Sequence, residues 1–203
     1  MRSIFIISAL AVSLLMAGCI QTSPGNGPAH KIQATEPWKP DGTIGAKEYS
    51  SWKYLSSVPG KNFTIYWRND AHSLHMALRG QTDGWISVGF EPTDWMKDAD
   101  MIVGYVTGDN ATVEDQYCTG NYGPHFRDED LGGTDDILEH GGKDEGGFTV
   151  VEFERKMNTT DKFDKAFVPG QNVSIIWAMA DSKSLAVQHN VAAGKGILDL
   201  DQT

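Results

Sequence analysis

The sequence predicts an all-β fold, an antiparallel β-sandwich, and three observations predict it. Beyond residue 60 the apolar side chains fall in short runs rich in β-branched and aromatic residues. Glycine, asparagine and aspartate cluster between those runs as turn signals. No long stretch sustains a helical period of about 3.6 residues.

The runs can be taken in order. Residues 63–68 are rich in β-formers, and residues 73–79 alternate in places. Between them Asn69, Asp70, Ala71 and His72 suit a hairpin connection. Residues 85–90 alternate more cleanly after a turn at 81–84, and 101–106 form a short apolar run that ends at the turn 107–110. Residues 111–117 are expected to pair back on it. Residues 148–155 read as a further strand, and 172–180 as the most hydrophobic of all. Many short strands with such turns point to a sandwich.

One segment breaks the rhythm. Residues 120–147 are glycine-rich and acidic, with Asp128, Glu129, Asp130, Asp135, Asp136, Asp144 and Glu145. A connection this long in a compact domain is functional or mobile. Its carboxylates suggest calcium, but no Asp-x-Asp-x-Asp-Gly loop with a closing glutamate occurs, so a solvated acidic loop is the expectation.

The N-terminus reads as an export signal over residues 1–18. Arg2 supplies its positive charge, and the apolar run 4–16 is shorter than the ~20 residues a transmembrane helix needs. Leu15, Met16, Ala17 and Gly18 precede Cys19 in lipobox order, which makes Cys19 the expected acylated first residue of the mature chain. An ordinary signal peptide with an incidental cysteine is the alternative. Two acyl chains anchor stably where one does so marginally. Residues 19–40, with Pro24, Gly25, Gly27, Pro28, Pro37 and Pro40, then read as a flexible tether without secondary structure. Residues 41–203 form the folded domain. The expected location is extracytoplasmic, with the membrane as partner through the lipid anchor.

Composition excludes several functions. The formal charge is −10, and about −11 once Arg2 leaves with the signal, which argues against nucleic acid and against a basic lipid-gripping patch. With Cys19 lipidated only Cys118 remains, so no internal disulfide is expected, and the lack of a Cys-x-x-Cys-His excludes covalent c-type haem. Sequons at Asn62, Asn110, Asn158 and Asn172 mark surface positions if the host glycosylates exported proteins.

No catalytic constellation is found: there is no Gly-x-Ser-x-Gly, no His-Glu-x-x-His and no phosphate loop. His72 and His75 would point to opposite faces of a strand, which makes them a poor metal pair. His125 and His140 read as surface histidines, and Cys118 as a buried thiol at a strand end with intermolecular pairing left open. Met96 stands in a polar turn before the run at Met101, where strand periodicity asks for no large apolar side chain. His189 follows the strongest strand. From the residues alone, Met96 caps the sandwich end and His189 is a surface histidine.

Residues 83–90, then Met96 shortly before 99–105, resemble the DOMON family. So do 148–155 followed by Ile176, Trp177 and Ala178, and a histidine-containing stretch before Gly194. Residues 41–48 look like the opening of many prokaryotic members, and the likeness runs from about Asp41 to Leu200. It implies an immunoglobulin-like β-sandwich. Many members bind b-type haem noncovalently between a methionine in the loop before a strand and a histidine near the C-terminus, as in the cytochrome domain of cellobiose dehydrogenase. Met96 and His189 match those positions, and Phe90, Trp95, Met101 and Trp177 are the expected walls. The chain departs from the pattern in its acidic insertion and in having Lys97, not an arginine, beside Met96. The resemblance implies a lipid-anchored electron carrier, not an enzyme, that serves an unknown redox partner protein. Other members bind sugars without haem, so the alternative is a carbohydrate-binding module presenting Trp85 and Trp95. A structural lipoprotein whose acidic loop binds calcium or a partner is the third reading.

Overall fold

The computed structural model describes residues 28–56 and 58–203; the expected signal, Cys19 and the start of the tether lie outside the described residues. In chain order the strands are β1 (His30–Lys31), β2 (Ser51–Tyr54), β3 (Phe63–Asn69), β4 (Ser73–Gly80), β5 (Ile86–Phe90), β6 (Asp100–Thr107), β7 (Asn110–Cys118), β8 (His125–Arg127), β9 (Ile137–Glu145), β10 (Phe148–Lys156), β11 (Asn172–Met179) and β12 (Ala192–Asp199). A 3-10 turn, Asp128–Leu131, follows β8. The strands form two six-stranded antiparallel sheets, ordered β1-β2-β3-β4-β10-β9 and β12-β11-β5-β6-β7-β8. The fold is therefore the expected all-β sandwich.

Local chemistry sets the hairpins. Asp70 Oδ1 accepts the backbone N–H groups of His72 and Ser73 at 2.7 and 2.9 Å, which closes the tight turn between β3 and β4. That turn fixes the register that pairs Trp67 with Met76 and Ile65 with Leu78. All four side chains are fully buried. Ile86, Val88, Phe90, Ile102, Ile175 and Trp177 face them from the second sheet in one continuous core. Trp177 stacks on Phe63 with ring centroids 4.6 Å apart. Fully burying each such side chain contributes roughly 1.5–3 kcal/mol, so this layer dominates the stability of the fold.

Residues 120–147 are not a solvated loop. They hold β8, the 3-10 turn and β9, which pairs with β10 from Glu145 opposite Phe148 to Ile137 opposite Arg155. The strand is polar because it lies at a sheet edge. Its Gly141 backbone packs against Pro40, where any side chain would overlap the proline carbonyl. The stretch read as a tether is bound along its second half: His30 pairs with Trp52, Thr35 N–H donates to Lys47 O at 2.9 Å, and Trp38 Nε1 donates to Tyr49 Oη at 2.8 Å.

Candidate functional site

The outer face of the second sheet is the unusual surface. The outer face of a two-sheet sandwich is ordinarily polar. Here it carries two apolar clusters separate from the core. One holds Ala99, Met101 and Cys118, with Met96 and Ile176 packed on it. The other holds Trp85, Val103, Ala178 and Ala180, with Tyr105, Leu185 and Ala193 packed on it. Buried Ser87 and Gln116 and the side-chain-free Gly89 share this face. A Cβ on Gly89 would come within 2.9 Å of Ile176 Cγ1 and 3.2 Å of Met101 Cγ.

Two loops rise over this face. The first, 91–99, carries Met96, whose N–H donates to Asn121 O at 3.1 Å while Ala99 N–H donates to Met96 O at 3.1 Å. Asp98 ties the loop down by accepting from Thr93 Oγ1 at 2.6 Å and Tyr117 Oη at 3.0 Å; these hydrogen bonds hold its carboxyl below the usual range despite a small opposing desolvation. Met96 is half-buried. The second loop, 181–191, carries His189. Asn190 Nδ2 donates to Asp181 Oδ1 at 2.8 Å and Asp181 N–H donates to Asn190 Oδ1 at 3.0 Å, closing its base. Lys183 pairs with Asp144 of β9 at 2.6 Å. Trp85 Nε1 donates to Val187 O at 3.0 Å and fastens the crest.

The residues expected to build the site fall on both sides of the sheet. Met101 lies on this outer face beneath Met96. Trp95 stands beside Met96 at 55% exposure, with its ring 5.4 Å from that of Tyr122 and 5.4 Å from Lys195 Nζ. Phe90 and Trp177 point the other way, into the core between the sheets, because strand alternation puts them in phase with Val88 and Ile175. The outer-face positions of those strands belong to Gly89, Ile176 and Ala178.

His125, which reads as a surface histidine in the sequence, belongs to this face. It sits opposite Cys118 on β8, is half-buried, and hydrogen-bonds Gln116. Burial lowers its pKa, and His189 is close enough to lower it further against the opposing pull of Glu114. The face thus brings two imidazoles near each other. The strand-pairing of β8 was the missing signal, since a three-residue edge strand has too little pattern to detect. Cys118 is fully buried, and desolvation raises its pKa, which disfavours the thiolate. His140 is exposed on β9 in the other sheet. His75 pairs with Glu154 at 3.6 Å there, on the same sheet.

A concavity of about 640 Å³ lies on the outer side of the first sheet, where Tyr49, Trp52, Tyr66, Arg79 and Phe148 line it. Arg79 lies over the Phe148 ring at 3.5 Å.

The sequence model of the DOMON domain matches residues 59–180. DBH-like monooxygenase protein 1 of Mus musculus is 27% identical over 120 residues, which is 59% of this chain and 19% of that protein. The Homo sapiens protein of the same name is 27% identical over 116 residues, 57% of this chain and 18% of its own. The chain thus spans about a fifth of the length of these curated relatives. Among solved structures, the cytochrome domain of Myriococcum thermophilum cellobiose dehydrogenase aligns with TM-score 0.55 at 15% identity, over 74% of this chain and 82% of that one. The cytochrome b domain of pyranose dehydrogenase from Coprinopsis cinerea aligns with TM-score 0.53 at 14% identity, over 73% and 82%. At these identities the likeness bears on the fold.

Proposed function

This chain belongs to the DOMON family, and from that premise we propose that it is a lipid-anchored carrier of single electrons that holds a b-type haem between Met96 and His189. The observation that carries the reading is the apolar layer outside the sandwich, with a thioether on one bordering loop and an imidazole on the other. The donor set fits the group. Ser87, Ala178 and Ala193 put small side chains on the floor, Gly89 leaves room for Ile176 and Met101 to lie across it, and Met101 and Val103 make it apolar. Lys195, near the Trp95 ring, and Lys97, next to Met96 in sequence, would be the cations for the ring's carboxylate edge.

Met96 and His189 are the residues that would hold such a group, and when bound it would supply one-electron transfer. The thioether of Met96 is a soft donor that would favour the reduced metal and raise its potential. The imidazole of His189 binds either oxidation state. The hydrogen bonds at Asp98 and Trp85 hold the two bordering loops in place. Anchoring through Cys19 keeps the carrier at the outer side of a membrane, within reach of a redox partner protein.

The reading is tested by visible spectroscopy of protein expressed with ample haem. The reduced wild type is expected to show the sharp bands of a six-coordinate, low-spin b haem. His189→Ala is expected to lose most of it. Met96→Ala is expected to keep more haem, become partly high-spin, bind carbon monoxide and fall in potential. A wild type that stays colourless overturns the reading.

A haem-free carbohydrate-binding module is the second reading, and one observation favours it: Trp95 and Tyr122 are exposed at 55% and 74% as a tilted aromatic pair. Trp85 does not serve such a surface, because it is 6% exposed and its N–H is committed to Val187.

A further inference from the structure

A group of acidic side chains lies inside the sandwich, on the opposite side of β6 from Met101. Asp100 opens β6, Asp115 sits in β7, and Asp164 comes from the connection between β10 and β11. One carboxylate oxygen from each lies within 4.8 Å of the others. Asp100 and Asp115 are 1% and 4% exposed, and the Asp164 side chain is 1% exposed. Asp128, the first residue of the 3-10 turn, is 1% exposed and interacts electrostatically with Asp100 and Asp164.

The protein's own donors satisfy only part of this group. Arg155 reaches across from β10, with Nη1 2.6 Å from Asp100 Oδ2 and Nη2 3.3 Å from Asp164 Oδ2. Lys165 N–H donates to Asp100 Oδ2 at 2.7 Å, and Asp136 N–H donates to Asp115 Oδ2 at 2.9 Å. Asp100 Oδ1, Asp115 Oδ1 and both oxygens of Asp128 receive no hydrogen bond. Four ionised carboxylates against one guanidinium would leave three buried negative charges uncompensated. Each costs several kcal/mol in a dry interior unless something positive meets it.

The geometry points to a divalent cation. The donors are all carboxylate oxygens, which excludes the soft metals that seek thiolate or imidazole. They come from three separate stretches of chain, and calcium accepts such irregular oxygen cages where magnesium demands a near-regular octahedron. We propose that Asp100, Asp115 and Asp164 form a calcium site that ties β6, β7 and the β10–β11 connection together. The site differs from a calcium loop within residues 120–147, because none of its three carboxylates comes from that segment. It does not depend on haem. Asp100 precedes Met101 and directly follows the loop that carries Met96, so the cation would brace that loop from behind.

The test uses the full-length protein in detergent, stripped with a chelator and dialysed. Calcium is expected to rebind at about one ion per chain by elemental analysis. It should raise Tm by about 5–10 °C when free calcium exceeds its dissociation constant a hundredfold. Asp115→Asn and Asp164→Asn are each expected to remove most of that rise. Because each deletes a buried charge, the stripped variants should fold with an unchanged circular dichroism spectrum and melt no lower than stripped wild type. Glu129→Gln, at an exposed acid, keeps the response. If calcium, magnesium and manganese all leave Tm and metal content of the stripped wild type unchanged, the cluster holds no divalent cation and the proposal is wrong. An undiminished rise in both aspartate variants would place the binding elsewhere and overturn it equally.

Discussion

Trp85 donates its indole N–H to the carbonyl oxygen of Val187 at 3.0 Å, two residues before His189. The backbone of Trp85 is tied to the same segment, since its N–H donates to Ser182 O at 2.9 Å and its carbonyl accepts from Ala180 N–H at 3.0 Å. One residue at the mouth of β5 therefore sets both the base and the crest of the loop that carries the imidazole. A long loop with few apolar contacts would otherwise sample many positions, and ligand binding would have to order it.

Trp85→Phe is expected to keep the ring packed on Val103 and Ala178 while losing the crest hydrogen bond, a loss of about 1 kcal/mol. The fold should persist by circular dichroism. Titration of the apo-protein with haem should show affinity reduced about three- to tenfold. Unchanged affinity would mean that the loop holds His189 without Trp85.

His125 tests which imidazole serves. It is hydrogen-bonded to Gln116 and lies near His189. His125→Ala is expected to leave the low-spin spectrum in place, because the residue already has a partner in the sheet. If that variant loses haem and His189→Ala keeps it, the imidazole ligand is His125.

The sandwich was legible because its central strands are amphipathic or continuously apolar. Residues 63–68, 85–90 and 172–180 declare themselves by β-branched and aromatic content, and β3, β5 and β11 lie over them. The strands that escaped notice are edge or near-edge strands whose sequence answers to a neighbour. In β12, Gly194 faces the Trp177 indole, where a Cβ would lie 2.9 Å from Nε1, so a small residue serves a large one across the ladder. In β9, Gly141 leaves room for Pro40. At the site, Met96 stood out because a polar turn had no use for it. Phe90 and Trp177 were attractive as aromatics near the right segments, but a one-residue change of phase decides which face of a strand a side chain lines. The buried acids were hidden altogether: Asp100, Asp115 and Asp164 are scattered in sequence and converge only through strand pairing and one loop.

The anchor is testable by fractionation. Cys19→Ser is expected to abolish lipidation and shift the protein from membrane to soluble fractions, since the acyl chains are the expected source of membrane affinity. A variant that sediments with membranes as firmly as wild type would rule the anchor out.

Glu152 gives the fold a pH dependence whose sign follows from its surroundings. Its carboxylate accepts from Tyr49 Oη at 2.7 Å and from Gly42 N–H at 2.6 Å, and the side chain is fully buried beneath the N-terminal segment. Burial outweighs those hydrogen bonds and pushes its pKa from the ordinary 4.5 up to about 7. A group whose pKa is raised on folding keeps its proton in the native state while the unfolded chain releases it. Its contribution is therefore whole below pH 4.5 and is lost as the pH climbs through about 7. The loss amounts to at most about 3 kcal/mol over that interval. Glu152→Gln removes the titration and keeps a carbonyl oxygen to accept one of the two bonds. In calcium-free, haem-free buffer, wild type is expected to lose more Tm between pH 5 and pH 8 than Glu152→Gln does. The two curves should converge toward acid pH except for a constant offset from the exchanged hydrogen bond. Parallel curves across the whole range would show that Glu152 is ionised in the folded protein throughout.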